Sequence, residues 1–224
     1  MAQVGHEDLE ERLLHRMLFF TDAVFAIVLT LLVLELRPPE GMVAGGLAHA
    51  LEGMIGRLFA FAMSFALVAV FWLAHMSTTS LLRRFDWLTT VANLLFLFPI
   101  CLIPFVSAWL GGGFGDPVTW RMYCWALVVT SAANVILVLV ASRGRGRLIG
   151  GVTGRQIVHR AIRAASPGVA FGLGLVLLAF DERLLSQFCW VFIPPFLWIE
   201  GQFFPAEPEP ELATPPPPRR RRLT

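Results

Sequence analysis

The chain has 224 residues, of which 56% are hydrophobic and only 15% are charged, with a mean hydropathy of +0.68. Soluble globular domains carry about 25% charged residues, so this composition indicates an integral membrane protein. Six apolar stretches of about 20 residues, each long enough to cross a hydrocarbon core of about 30 Å, leave only short loops and two tails. The composition therefore excludes a separate soluble catalytic domain, nucleic-acid binding and a secreted disulfide scaffold.

Six long apolar runs predict an all-α integral membrane protein with six spanning helices in one domain, 1–204. The first run follows an acidic start without a basic leader or cleavage site, so we expect it to stay in the mature protein. Arg37-Pro38-Pro39 ends the first span and Gly111-Gly112-Gly113 ends the third. Asp181, Glu182 and Arg183 divide the last apolar stretch into two spans. The predicted spans are 17–36, 58–76, 88–110, 121–141, 164–180 and 184–204.

The arginine positions predict the direction of insertion, because short cytoplasmic loops hold the basic excess in multi-spanning proteins. All 18 basic residues are arginines. With the N-terminus inside, 14 of them fall on the inner side and four, Arg37, Arg57, Arg121 and Arg183, fall on the outer side. Both termini are therefore predicted to be cytoplasmic. The inner loop 142–163 holds six arginines and no acidic residue, which predicts contact with anionic lipid headgroups.

The tail 205–224 is rich in proline and ends in four arginines, Arg219 to Arg222. It has too little apolar surface to fold, so we predict a disordered cytoplasmic tail. A topology anchor is the simpler interpretation of the four arginines, and a lipid-binding switch or a protein-docking site is the alternative. Cys101, Cys124 and Cys189 lack CxxC spacing, so we expect buried free thiols and no metal or other cofactor.

Polar residues lie at membrane depth in the first span, where such groups are costly and often functional. Asp22 lies one turn beyond the inner membrane face. Arg16 is six residues earlier, about 240° around the helix, so a direct pair between the two is not expected. The intramembrane partners available to Asp22 are His75 in the second span and Asn93 in the third. These three residues have a similar depth, which predicts a polar cluster between helices.

An apolar stripe occupies the other half of the first span. Ile27, Leu31 and Leu34 have i, i+4, i+7 spacing, and Thr30 lies beside them. From periodicity alone a helix-packing seam is the simpler interpretation, because every face of a membrane helix can be apolar.

The first span resembles the signature of the transmembrane protein 175 potassium channel family. The family pattern is Arg, three residues, Phe-Ser-Asp-x-Val-Phe-Ala-Ile and a Thr-Leu-Leu run. In this chain Arg16 precedes the run from Phe20 to Ile27, and Thr30-Leu31-Leu32 follows. Trp72 and His75, Asn93, and Pro104-Phe105 extend the resemblance over about the first 110 residues. Thr21 stands where the family usually has serine, and both side chains supply a hydroxyl.

The resemblance implies a leak-type potassium channel, modestly selective over sodium, with permeant K⁺. In this family the first helix of each subunit lines the pore, and one six-span repeat per chain implies a homotetramer. The residues that would line the pore are Ile27, Thr30, Leu31 and Leu34. Ile27 and Leu34 would form a hydrophobic constriction that closes by dewetting, and Thr30 would add a ring of hydroxyls. The sequence contains no Thr-Val-Gly-Tyr-Gly filter loop, in agreement with such a pore.

The same resemblance implies a polar network that ties the inner end of the pore helix to later helices. Its members are Arg16, Thr21, Asp22, His75 and Asn93. A scaffold that fixes the rotation of the pore helix is one role for the network, and direct ion binding is the alternative. An Asp–His contact is also a place where a pH response can enter, because imidazole titrates near neutrality.

Glu35, near the outer end of the first span, has two interpretations. It is either part of an acidic ring that concentrates cations at the pore mouth or a snorkelling interfacial carboxylate.

Two other functions are alternatives to a channel. A proton-coupled secondary transporter would use Asp22 and His75, but the run from Phe20 to Leu34 has no second copy in the sequence. A membrane enzyme would need metal or haem ligands, but the five histidines are scattered and no HExxH or Ser-His pairing is present, so we expect no enzyme. The single repeat and the short chain indicate a bacterial cell-membrane protein.

Overall fold

The computed structural model describes the backbone of residues 2–36, 42–80, 82, 86–143 and 153–203. It describes the side chains of 10–36, 54–80, 82, 86–143, 153–198 and 202. The elements in these ranges are helices: α1 (Ala2–Val33), α2 (Met42–Thr79), α3 (Trp87–Gly112), α4 (Pro117–Ser142), α5 (Gly154–Ala179), α6 (Arg183–Gln187), a 3₁₀ turn (Cys189–Phe192) and α7 (Ile193–Phe203). The predicted tail 205–224, with Arg219 to Arg222, and the predicted stop Arg37-Pro38-Pro39 lie outside the described residues.

Five of the described helices are long and apolar enough to cross a membrane. The spanning stretches are Glu10–Val33, Met54–Thr79, Trp87–Gly112, Pro117–Ser142 and Gly154–Ala179, and they overlap the first five predicted spans. Nothing in the helices themselves gives their direction across the membrane, so the cytoplasmic position of both termini stays a prediction.

The region predicted as a sixth span, 184–204, is broken into α6, the 3₁₀ turn and α7. Pro194 and Pro195 lie in the first turn of α7, where backbone N–H groups have no acceptor within the helix, so their absence costs little stability. Because neither proline can donate to a preceding carbonyl, the α-helix does not extend from α7 into the 3₁₀ turn. The apolar part of this region is only Cys189–Trp198. The count of six spans therefore stays a prediction.

Side-chain caps explain where three of the spanning helices begin. Asp86 accepts a hydrogen bond from the Thr89 N–H at 2.8 Å, and Asp116 accepts one from the Thr119 N–H at 3.0 Å. At the start of α5, Thr153 and Gln156 form a capping box. The C-terminus of α5 is followed by Asp181 with φ of 63°, at the predicted interruption of the last apolar stretch.

Small residues allow the spanning helices to approach closely. A Cβ on Gly56 of α2 would lie 2.6 Å from Phe114 Cβ, and one on Gly111 of α3 would lie 3.0 Å from Arg57 Cα. A Cβ on Gly168 of α5 would lie 2.6 Å from Ser131 Cβ of α4. Membrane helices associate through such seams because burial in lipid adds little hydrophobic driving force between them.

Buried hydroxyl groups join the helices at these close approaches. Ser64 of α2 donates to Ser107 of α3 at 2.9 Å, and its oxygen also lies 2.8 Å from the Tyr123 hydroxyl of α4. Ser131 of α4 donates to the Ala164 carbonyl of α5 at 2.6 Å. These bonds satisfy polar groups that water cannot reach in the hydrocarbon region.

The three cysteines are free thiols, but they are not all buried as we expected. Cys124 and Cys189 are buried, whereas Cys101 is exposed. Cys101 lies on the outer face of α3, and an exposed thiol is compatible with a lipid environment because it behaves as a small apolar group.

Candidate functional site

Helix α1 has one buried face and one uncovered face. Leu14, Thr21, Phe25, Val28 and Leu32 are buried and follow the alternating three- and four-residue spacing of a helix face. This face packs against α2 and α3. The opposite face of α1 is not covered by the other described helices.

The predicted stripe lies on the uncovered face. Ile27 is 56% exposed, and Leu34, in the turn that directly follows α1, is 64% exposed, whereas Leu32 between them is fully buried. Thr30 and Leu31 are also exposed. The four side chains are therefore left exposed by the part of the chain that the structure describes.

The hydroxyl of Thr30 is oriented by its own helix. Its O–H donates to the Ile27 carbonyl at 2.8 Å. Since the proton is used in this bond, the lone pairs of the oxygen remain available on the uncovered face. Thr30 can therefore offer an acceptor oxygen to a cation at a point where its neighbours are apolar.

The part of α1 around Thr21 is tied to α3 and α2 by a chain of hydrogen bonds. Thr21 Oγ1 donates to the Met17 carbonyl at 2.9 Å and accepts from Asn93 Nδ2 at 2.9 Å. Asn93 Oδ1 in turn lies 2.8 Å from His75 Nε2. The Thr21, Asn93 and His75 side chains are all buried. We refer to Thr21, Asn93 and His75 as the inner polar chain.

The directions of these bonds follow from one another. The Thr21 hydroxyl donates its proton to the Met17 carbonyl, so it must accept the hydrogen bond from the amide of Asn93. The amide oxygen of Asn93 then faces His75, so Nε2 carries the proton and donates. The imidazole stacks on Phe96, with ring centroids 5.6 Å apart and an interplanar angle of 10°. The ring orientation is therefore held from two sides.

Asp22 has a partner other than those expected from the sequence. Its Oδ1 accepts a hydrogen bond from Trp72 Nε1 at 3.0 Å, and neither His75 nor Asn93 donates to it. Trp72 precedes His75 on α2 by three residues, so the two residues point in similar directions. The spacing Trp72-x-x-His75 was visible in the sequence, but only the rotation of α2 against α1 decides which of them reaches Asp22.

Arg16 and Glu35 stand apart from the inner polar chain. Arg16 is exposed, and no hydrogen bond or ion pair joins it to Asp22 among the residues with described side chains. Glu35 is half-buried in the turn that follows α1, where its N–H donates to the Leu32 carbonyl at 3.3 Å. The structure thus brings together three of the five predicted network residues, pairs Asp22 with Trp72 in a separate bond, and leaves Arg16 apart from both.

Comparison with known proteins identifies the family. Residues 16–104, which contain the stripe and the inner polar chain, match the family described as endosomal/lysosomal potassium channel TMEM175. A potassium channel of Chamaesiphon minutus is 31% identical over 174 residues, which cover 75% of this chain and 82% of that protein. The chain belongs to the TMEM175 family.

Other TMEM175 relatives agree with this assignment. A potassium channel of Streptomyces collinus is 35% identical over 91 residues, which cover 41% of this chain and 44% of that protein. The crystal structure of a lysosomal potassium-selective channel TMEM175 homolog from Chamaesiphon minutus superimposes with a TM-score of 0.71 at 25% identity. The match covers 84% of this chain and 97% of that structure. The TMEM175 relatives are ion channels and not enzymes.

Proposed function

We propose that this chain forms a potassium-permeable channel in a bacterial cell membrane, with α1 as the pore-lining helix. The observation that carries the proposal is the uncovered stripe of Ile27, Thr30, Leu31 and Leu34 on the helix that bears the family signature. The names of the bacterial relatives, which are potassium channels, support K⁺ as the permeant ion. The channel needs no cofactor.

A homotetramer is the assembly that we propose. One chain supplies one α1, so a pore lined by this helix requires several copies around an axis. Four copies place four Ile27 and four Leu34 side chains around the conduction path, where they form a hydrophobic constriction that closes by dewetting. Four Thr30 oxygens at the same level supply acceptor groups for a partly dehydrated K⁺. Such a ring gives modest selectivity over sodium.

The inner polar chain acts as the anchor of the pore helix in this proposal. Thr21 connects α1 to α3, and His75 continues the connection to α2. The bond from Trp72 to Asp22 adds a second connection between α1 and α2. These contacts support a scaffold that fixes the rotation of α1 and thereby keeps the stripe turned toward the axis. Glu35 follows α1 at the outer end, where four copies would form an acidic ring.

The proposed orientation places both termini in the cytoplasm. In that orientation the arginines near the start of α5, among them Arg160 and Arg163, lie at the inner membrane surface and contact anionic headgroups.

The test is the current through purified protein in planar bilayers under a K⁺/Na⁺ gradient, compared between the wild type and Ile27→Asn. We expect a voltage-independent current with a reversal potential displaced toward that of K⁺. The amide at position 27 hydrates the constriction, so Ile27→Asn is expected to raise the conductance several-fold. The reversal potential of this variant should lie less close to that of K⁺ than in the wild type.

The matched control is Ile136→Asn. Ile136 is an exposed isoleucine in α4, 51% exposed, so the same substitution meets a membrane-facing site away from the stripe. We expect wild-type conductance and reversal potential from this variant. If both variants change the conductance and reversal potential equally, or if the folded tetramer carries no current, the stripe contacts other helices and does not line a pore.

A proton-coupled secondary transporter is the second candidate. It is favoured by one observation, the exposed carboxylate of Asp22 within a spanning stretch, close to buried His75 on α2. A transporter would give a saturable substrate flux that is lost in the Asp22→Asn variant, and it would show no single-channel currents. The bilayer experiment separates the two functions directly.

A further inference from the structure

Two arginines lie on the same face of α1 as the stripe. Arg12 and Thr30 are 18 residues apart, which corresponds to about five complete turns of an α-helix, so both side chains leave the helix in the same direction. Arg16 and Ile27 are 11 residues apart, which is three turns to within about 20°. The stripe therefore continues toward the start of α1 as two cationic side chains.

The described part of the chain leaves both arginines open. Arg12 and Arg16 are exposed, and neither forms an ion pair with a residue whose side chain is described. Asp22 lies about 240° around the helix from Arg16, away from this face. Glu11 lies about 100° around the helix from Arg12. The stripe face of α1 thus carries positive charge that no carboxylate of the same face compensates.

The charges differ between the two ends of α1. Arg12 and Arg16 lie in the first two turns of the spanning stretch Glu10–Val33. After Asp22 the next charged residue is Glu35, in the turn that follows the helix. A path lined by this face therefore has cationic groups at the end where α1 starts and an acidic group near the other end.

The reach of these charges limits where they act. Arg16 lies about 16 Å along the helix axis from Ile27. The Debye length is about 10 Å in 0.1 M salt and about 3 Å in 1 M salt. Four copies of each arginine would therefore repel K⁺ at the mouth of the pore, where ions enter, and act little on the constriction at Ile27.

We propose that Arg12 and Arg16 form a cationic ring at the pore mouth, which makes the channel pass K⁺ more easily toward the start of α1 than away from it. This inference rests on the proposed function, because it requires α1 to line the pore. The ring lowers the K⁺ concentration at the mouth that it surrounds, so fewer ions enter from that side. With a cytoplasmic N-terminus, the channel favours K⁺ flow into the cell.

The test is the single-channel current of the purified full chain in planar bilayers, with the same KCl concentration on both sides. Voltages of equal size and opposite sign are applied to each channel, and we define the ratio of the larger current to the smaller one as the asymmetry. The wild type is expected to give an asymmetry of about two in about 0.1 M KCl. In about 1 M KCl the asymmetry should approach one, because salt screens the ring.

Variants without the charges should lose the asymmetry. Arg16→Gln, and independently Arg12→Gln, should bring the ratio in dilute KCl closer to one and still carry current. Arg155→Gln is the matched control, because it removes the same charge from an exposed position on α5. We expect the asymmetry of the wild type from this control.

A cysteine at position 12 identifies the direction of the larger current. Arg12→Cys should lower the asymmetry, and a membrane-impermeant, positively charged thiol reagent should restore it from only one side of the bilayer. That side is the one on which α1 starts, and the larger K⁺ current should flow toward it. The wild type treated with the same reagent controls for the exposed thiol of Cys101.

Several results would overturn the proposal. A symmetric wild-type current in dilute KCl, or a larger current in the opposite direction, would contradict the ring and leave the channel standing. Unchanged asymmetry in both Arg12→Gln and Arg16→Gln would place these side chains at lipid headgroups. An equal loss in Arg155→Gln would assign the asymmetry to the charge of the whole surface. A folded tetramer without current would contradict the proposed function and the ring together.

Discussion

At the scale of single residues, the inner polar chain places hydrogen bonds where they cannot be exchanged for water. Thr21, Asn93 and His75 are each nearly or fully buried inside spanning helices. A bond between buried neutral groups contributes about 1 kcal/mol net, but loss of one partner leaves the other without a partner, which costs about 1–3 kcal/mol. Removal of the Thr21 hydroxyl is therefore expected to lower stability more through the unpaired amide of Asn93 than through loss of the hydrogen bond itself.

This difference predicts distinct effects for two substitutions at position 21. Thr21→Val keeps the shape and removes the acceptor of Asn93 Nδ2, so we expect a loss of about 1–3 kcal/mol in stability. Thr21→Ser keeps the hydroxyl and should stay much closer to the wild type. Reversible denaturation in detergent, followed by circular dichroism, measures both. Equal destabilisation by serine and valine would mean that the methyl group, and not the hydroxyl, is what matters.

At the scale of elements, the start of α3 combines a cap with an ion pair. Asp86 caps α3, and Arg143, which follows α4, lies 3.8 Å from its other oxygen. Hydrogen bonding by Thr89, together with the Arg143 guanidinium, holds the pKa of Asp86 below its ordinary value. One carboxylate thus links the start of α3 to the end of α4, on the same side of the bundle.

The lowered pKa sets the sign of a pH dependence. The contribution of Asp86 is fully present above the pKa that its carboxyl has in the unfolded chain, and it is lost as the pH falls through the lowered pKa of the folded protein. At neutral pH, Asp86→Ala is expected to cost about 1 kcal/mol through loss of the cap. Unfolding of the wild type and of Asp86→Ala, measured from neutral to strongly acidic pH, should converge at the acidic end.

Asp86→Asn serves as the control for this prediction. Asparagine keeps a capping oxygen but has no titratable charge. At neutral pH the stability of Asp86→Asn should therefore lie between those of the wild type and Asp86→Ala, and this variant should not lose stability at acidic pH through position 86. A constant difference between the wild type and Asp86→Ala at every pH would contradict the role assigned to the charge of Asp86.

At the scale of the whole molecule, the described part of the chain leaves the face of α1 with Ile27, Thr30 and Leu31 uncovered. Packing of α1 on α2 and α3 uses the face with Phe25, Val28 and Leu32. The uncovered face combines large apolar side chains with the hydroxyl of Thr30. Lipid would leave that hydroxyl oxygen unsolvated, whereas a pore axis gives it water and ions. The fold of the single chain therefore favours an assembly in which copies of α1 face one another.

The mass of the assembly tests this interpretation. Light scattering of the purified protein, corrected for detergent, should give about four times the chain mass of 24.9 kDa. Ile27→Asn should keep the same mass, because position 27 lines the path without forming the contact between subunits. A monomer, or a dimer, would contradict the proposed pore, since two helices cannot enclose an aqueous path.

The sequence predicts the spanning stretches and the relative depth of residues in the membrane, because both depend only on position along the chain. Five spanning stretches overlap the predicted ones, and Asn93 and His75 meet as their similar depths indicated. Asp22, which the same argument placed with them, bonds to Trp72, and Thr21 joins Asn93 as the family resemblance implied. The family signature from Arg16 to Leu34 was equally local, and the relative in Chamaesiphon minutus established the membership that it indicated.

Rotation and packing were decided only by the tertiary structure. Whether Trp72 or His75 reaches Asp22 depends on how α2 is turned against α1, and spacing within a helix cannot set that angle. The break before α7 depends in the same way on contacts between segments distant in the chain. Which face of α1 stays uncovered is also a result of packing, because both the stripe and the face with Phe25, Val28 and Leu32 are apolar.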